Sequence, residues 1–235
     1  MSERAQYVVG IDLGTTNSVV AFAALGEREP RVTLLPLEQL VTPGGVEHDT
    51  CLPAFLSVLS TEQRSSPAFH LPGEETAAFV VGELARRLGV DVPERLVSSA
   101  KSWLSVPQAD RTSAFLPWGA SDAVDKVSPV EASARYLERV VRSWNARFPQ
   151  APCAEQEIVL TVPASFDPAA RQLTLQAAEA AGLSDVTLLE EPQAAFYAGR
   201  AFVDYRSRRQ LNKVDPGSVL PDFFIGGHAL SLGAT

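Results

Sequence analysis

Histidine, cysteine and methionine are scarce, at three, two and one in 235 residues. Cys51 and Cys153 lie far apart and belong to no CxxC pair, and His48, His70 and His228 fall at no ligand spacing. The expectation is therefore two reduced thiols in a cytoplasmic setting, with no disulfide scaffold and no histidine metal site. No apolar run approaches the ~18 residues needed to span a bilayer, and the opening "MSERAQ" lacks a basic-then-apolar leader. Positive charge is also short, with 20 Lys and Arg against 28 Asp and Glu for a formal net charge of -8. An acidic balance of this kind disfavours nucleic acid and anionic membranes as partners. The one basic cluster, Arg200, Arg206, Arg208, Arg209 and Lys213, reads as a solvated segment.

What is present is a chain that can bury a core: 46% of its residues are hydrophobic, and its length suits one or two domains. Val8, Val9 and Ile11 precede the turn "GIDLGTTNS", and Val19, Val20 and Phe22 follow it, which predicts an antiparallel hairpin. "RVTLL" at 31–35 predicts a third strand. Residues 39–127 have a looser, turn-rich texture and are expected to form an inserted subdomain, with a short strand at "AFLSVLS" and a strand running into a helix at "AFVVGELARRLG".

Order returns at residue 128. Ser128 and Glu131 have the spacing of a capping box, Pro129 suits the first helical position, and Val130, Ala134, Leu137, Val141, Trp144 and Phe148 form a helical stripe. "EIVLTV" predicts a strand. The segment after it predicts a helix with Asp167 as N-cap, Pro168 in the first turn and Gly182 as stop, and "VTLLE" predicts another strand. Strand, helix, strand implies a parallel right-handed crossover. "EPQAAFYAGRAF" opens a further helix, and residues 200–235 carry no sustained period of either kind.

The polar tip of the hairpin is the chemical signal. Gly14, Thr15, Thr16 and Asn17 can direct backbone N–H groups and two hydroxyls toward one point, which is how a phosphate is cradled. Asp12, at the end of a buried strand, calls for a matching charge, and hydrated Mg²⁺ bridging phosphates would supply one. An ordinary polar turn, with Asp12 accepting turn N–H bonds, accounts for the same residues.

"GIDLGTTNS" together with "LTVPASFDPAARQLTLQAAEAAGLSDVTLLEEPQAAFYA" closely resembles the nucleotide-binding domain of the Hsp70 (DnaK-type) chaperone family, within the actin-like ATPase superfamily. The resemblance covers residues 7 to about 199. It implies an α/β fold of the actin-like ATPase (ribonuclease H-like) kind, here an incomplete first lobe with a mixed sheet flanked by helices. Its core would be residues 1–38 and 128–199, with 39–127 inserted and 200–235 irregular. It implies ATP/ADP and Mg²⁺ as cofactors, with Gly14, Thr15, Thr16 and Asn17 as the first phosphate loop and Asp12 holding Mg²⁺ through water. Glu191 would help place the metal and the attacking water, and Pro163 and Arg171 would relay nucleotide state. For Glu191 a first-turn acid favoured by the helix dipole is a second reading, and for Arg171 a solvated helix charge. In the intact family the partners are a J-domain co-chaperone, a nucleotide exchange factor and unfolded peptide.

Three departures qualify this. Arg86 stands where alignment of "VGELARR" puts the family's catalytic lysine, and a planar guanidinium is not a point charge. Glu190 replaces the asparagine usual before "EP". The second phosphate loop finds only a poor echo in "DFFIGGHALSLGAT", so the chain reads as a truncated lobe. The competing hypotheses are an Hsp70-type ATPase fragment coupled to protein folding, and a non-catalytic lobe that binds nucleotide weakly or not at all. An actin-like sugar kinase is disfavoured by the chaperone-type strings.

Overall fold

The structure is a computed structural model that describes residues 5–27 and 31–197. Its centre is a six-stranded sheet. Strands β1 (Tyr7–Leu13) and β2 (Asn17–Ala24) form the expected antiparallel hairpin, with Ile11 opposite Val20 and Leu13 opposite Ser18. The third strand is shorter than expected, only Thr33–Leu34 (β3), and pairs with β2 on its other edge.

The chain then leaves the sheet for a hairpin of β4 (Leu37–Thr42) and β5 (Gly45–Asp49). It returns through β6 (Cys51–Pro53), which pairs antiparallel with β2. Strands β7 (Phe55–Val58), β8 (Phe79–Val81) and β9 (Leu96–Ser98) make a separate three-stranded sheet with β7 in the middle.

Two short helical pieces of this region show local sequence rules at work. Helix α1 (Thr61–Arg64) carries a complete capping box, in which Ser60 accepts from the Gln63 N–H and Gln63 reaches back to the Ser60 N–H. Helix α2 (Glu83–Asp91) starts at Gly82, whose φ is +87° and which has no side chain to cap with. The buried Gln39 side chain caps it instead, accepting from the Glu83 N–H at 3.0 Å while donating to the Cys51 carbonyl. A Cβ on Gly82 would sit 2.6 Å from that Gln39 oxygen, so only glycine fits there.

After a four-residue helix, α3 (Ala100–Trp103), and a long loop, α4 spans Pro129–Arg147. Ser128 accepts from the Glu131 N–H as expected, but the Glu131 carboxylate turns outward to Arg135 instead of closing a capping box. Ala134, Leu137 and Trp144 of the expected stripe are buried, while Val130, Val141 and Phe148 lie at its margin. Tyr136 and Val140 are buried beside them, so the covered face is wider than one stripe.

Strand β10 (Glu157–Val162) pairs parallel with β1, bringing Leu160 beside Ile11. Helix α5 (Pro168–Ala180) begins at Asp167, whose carboxylate accepts from the Ala170 N–H at 2.6 Å. It ends at Ala180, two residues before Gly182, whose φ is +85°. Strand β11 (Val186–Glu190) then pairs parallel with β10. The sheet order β11-β10-β1-β2-β3, with β6 also on β2, is mixed and α/β. Residues 191–197 are helical, and residues 200–235, expected to be irregular, lie outside the described residues.

Strand alternation sorts the side chains. Val9, Ile11, Leu13, Val20, Phe22, Ile158 and Leu160 face α4 and α5 in one large buried cluster. Val8, Ala23, Val159 and Leu189 face the opposite side, where among the described residues Ala194 of the last helical segment and the partly buried Leu25 join them.

Candidate functional site

Asp12 is an even-numbered residue of β1 and therefore belongs to the sparsely covered face. Its neighbour on β10 is Thr161, which is 7% exposed and whose hydroxyl donates to Asp12 Oδ1 at 2.8 Å. Leu189 of β11 shares that face, and Glu191 follows the strand end as the first residue of the helical segment. Asp12 and the β11 row are two strand spacings apart, roughly 10 Å, a width that suits a phosphate with a hydrated cation.

At the same end of the sheet the β1–β2 turn is tight. A Cβ on Gly14 would come within 2.2 Å of the Asn17 carbonyl oxygen, so the turn closes only with glycine. The Thr16 carbonyl is pinned by the Ala54 N–H at 2.7 Å, which ties the loop to the segment after β6. Thr15, Thr16 and Asn17 are exposed, and among the described residues their side chains have no partner. The turn thus holds a fixed backbone and presents free hydroxyls.

The basic partner of Glu191 is Lys101. It is 4% exposed, and its ammonium donates to Glu191 Oε1 at 2.7 Å, across 90 positions of sequence. A buried ammonium needs such a partner. The Glu191 side chain stays 44% exposed, so the pair faces out of the protein at its glutamate end. Three features place Lys101 there. Ser99, the one non-glycine residue at positive φ among the described residues (φ +55°), turns the chain into α3. Leu104, fully buried, packs with Val162, Phe166, Ala170 and Leu173 of the β10–α5 unit. Arg111, 11% exposed, forks onto both oxygens of Asp167 at 3.1 Å and donates to the Val106 carbonyl. Those bonds hold the Asp167 carboxyl below the ordinary aspartate range.

Arg86 is not brought to this site. It is an exposed residue of α2, and two of its guanidinium N–H groups are spent on Glu83 at 2.8 Å, with Arg87 on the same carboxylate. These bonds hold the Glu83 carboxyl down at about 2. The basic group that meets Glu191 is Lys101, while Arg86 pairs with Glu83. Sequence reasoning passed over Lys101 because "SAKSWLS" has no helical period to show a buried face.

Pro163 and Arg171 meet through one residue. The Phe166 N–H donates to the Pro163 carbonyl at 3.1 Å, and Arg171 Nε donates to the Phe166 carbonyl at 3.2 Å. Arg171 also donates to Glu190 at 2.6 Å. The adjacent carboxylates of Glu190 and Glu191 therefore hold different cations, Arg171 and Lys101. Cys153 is buried among apolar side chains, which pushes its thiol up to about 12, and Cys51 is likewise free. Among the described residues no helix is long and apolar enough to cross a membrane.

Comparison with known proteins identifies the family. The family model described as "Hsp70 protein" matches residues 76–199. The chain is 32% identical over 191 residues to the "Chaperone protein DnaK" of Cenarchaeum symbiosum (strain A), covering 81% of this chain and 24% of that protein. It is 31% identical over 213 residues to the "Chaperone protein HscA homolog" of Neisseria meningitidis serogroup B, covering 83% of this chain and 28% of that protein. The chain thus spans about a quarter of the length of the curated relatives it matches. With a mixed α/β sheet, a glycine-closed threonine loop at its end and a family match over more than half its length, the chain belongs to the Hsp70 family, of whose nucleotide-binding domain it carries a part.

Proposed function

We propose that this chain supplies one wall of an ATP- and Mg²⁺-binding site of the Hsp70 type. In the longer protein, hydrolysis at that site would be coupled to protein folding, with a J-domain co-chaperone, a nucleotide exchange factor and unfolded peptide as partners and the cytoplasm as setting. The observation that carries this reading is the pairing of buried Lys101 with half-exposed Glu191 on the sheet end that also bears Asp12 and the threonine turn.

Each residue has a role that follows from its chemistry. Gly14, Thr15, Thr16 and Asn17 offer backbone N–H groups and hydroxyls to phosphate oxygens. Lys101 offers a compact positive charge to the same oxygens, and Glu191 accepts from the water that attacks. The donor set fits hydrated Mg²⁺: an ion that keeps most of its waters needs only one or two carboxylates beside phosphate oxygens, and Asp12 and Glu191 provide two. When bound, the ion would neutralise charge that builds on the phosphates. Pro163, Phe166 and Arg171 form the chain of contacts through which occupancy would reach the surface. Residues 39–127 are taken as an insertion between two core segments, 1–38 and 128–199, which is also the segment that delivers Lys101.

One wall holds phosphate from one side. Losing about 4 kcal/mol of contacts weakens affinity roughly a thousandfold, and pre-organised placement contributes about 7–11 kcal/mol to barrier reduction. The chain alone is therefore expected to bind nucleotide weakly, in an Mg²⁺-dependent way, and not to turn it over. Titration with ATP and ADP by NMR, with Mg²⁺ and with EDTA, beside Asp12→Ala, tests the site. Absence of any Mg²⁺-dependent binding would reject it. Single-turnover release of phosphate that disappears in Asp12→Ala would show that the wall suffices and reject the one-sided reading.

A further inference from the structure

We propose that Thr161 is a positioning residue for Asp12: its hydroxyl occupies one carboxylate oxygen and thereby fixes the direction of the other. This rests on the nucleotide reading above and deepens it. The bond itself is unambiguous in sense, because an ionised carboxylate only accepts and the hydroxyl must donate. It is 2.8 Å long and runs from Thr161 Oγ1 to Asp12 Oδ1. Among the described residues no bond reaches Asp12 Oδ2.

The donor is built to be stiff. Thr161 is β-branched, so its χ1 has few options, and it stands at 7% exposure on β10 with Leu160 and Val162 buried on either side. Its backbone pairs with Leu189 of β11, and Leu160, just before it, pairs with Ile11 of β1. The acceptor is not stiff by itself: an aspartate near the end of a strand can rotate about two bonds. A fixed donor on the neighbouring strand removes that freedom before any ligand arrives, which is what support of a binding carboxylate requires. Because the two residues lie side by side across the parallel pair, the arrangement depends on register. A slip of one residue would turn Thr161 to the α4–α5 face.

A merely structural hydroxyl would stabilise the fold and leave cation dependence alone, so the two roles separate by measurement. The full chain is titrated with ADP by NMR in Mg²⁺ and in EDTA, for wild type, Asp12→Ala, Thr161→Val and Thr161→Ser, with a thermal melt for each. Expected is a roughly tenfold loss of affinity for Thr161→Val in Mg²⁺, little change in EDTA, and recovery in Thr161→Ser. Should Thr161→Val fail to fold, Thr161→Ala read against Thr161→Ser takes its place. If removal of the hydroxyl leaves the Mg²⁺ effect at its wild-type size while Asp12→Ala abolishes it, Thr161 has no positioning role and the nucleotide site stands. If wild type shows no Mg²⁺ effect at all, the site reading fails and the proposal fails with it.

Discussion

The two faces of the six-stranded sheet are built on opposite terms. On one, α4 and α5 lay Leu137, Val140, Trp144, Ala177 and Ala178 over Val9, Ile11, Phe22, Ile158 and Leu160 in a large apolar cluster. Trp144 is the keystone there. It is fully buried, meets Tyr7, Phe22 and Phe148 with ring centroids 5.5, 5.3 and 4.6 Å apart, and donates its indole N–H to the Ala151 carbonyl at 2.8 Å. On the other face, Val8, Ala23, Val159, Leu189 and Ala194 make a small patch, and Asp12 and Thr161 lie beyond it. One face stores the stability and the other can therefore carry polar groups that contribute little to it. The same strands serve both because successive residues point opposite ways.

That division can be broken most heavily at Trp144. Trp144→Ala should lower stability by about 3–5 kcal/mol, read as the midpoint of a denaturant melt. Any nucleotide binding that survives should keep its Mg²⁺ dependence. A loss of only the Mg²⁺ effect, without loss of stability, would mean the faces are not separable. Gly14→Ala comes next. Its Cβ would collide with the Asn17 carbonyl, so the turn must open, at about 1–3 kcal/mol by analogy with overpacking, and phosphate binding should disappear while the α4–α5 face still melts cooperatively.

A sharper version concerns the strap that seats Lys101. Arg111 lowers the Asp167 carboxyl below its ordinary value, so the bond stabilises the fold fully above about pH 4 and is lost as pH falls through the depressed folded value. The melting temperature of Arg111→Gln should lie below wild type at pH 7, and the gap should narrow as pH drops through that window. A gap independent of pH would remove the carboxylate from the explanation. The smallest effect belongs to the pair Lys101→Met and Arg86→Ala. Lys101→Met should abolish Mg²⁺-nucleotide binding with little change in melting, because Glu191 is half in water. Arg86→Ala, on an exposed helix face, should change neither. A binding defect in Arg86→Ala equal to that in Lys101→Met would reverse the assignment made here.

Much of the fold can be read along the chain because its signals are short-range. The β1–β2 hairpin, the Pro129 helix start, the Asp167 cap and the strand, helix, strand order each depend on residues within a few positions of one another. β3 came out shorter than "RVTLL" suggests, and the 39–127 segment less legible still, because β6 and β7 are three and four residues long and too brief for a period to register. The half-formed capping box at Ser128 has a comparable cause: Arg135, one turn on, competes for the Glu131 carboxylate.

Of the candidate site, the sequence by itself displays the threonine turn and Asp12 as a glycine-bracketed polar run between apolar strands, and offers Glu191 only through the family resemblance of "EEP". Only the tertiary structure decided which basic residue meets Glu191 and which hydroxyl meets Asp12. Lys101 reaches its partner across 90 positions and Thr161 across 149. Contacts of that span are set by strand register and by the packing of Leu104 on the β10–α5 unit, and neither leaves a mark on the residues next to them in sequence.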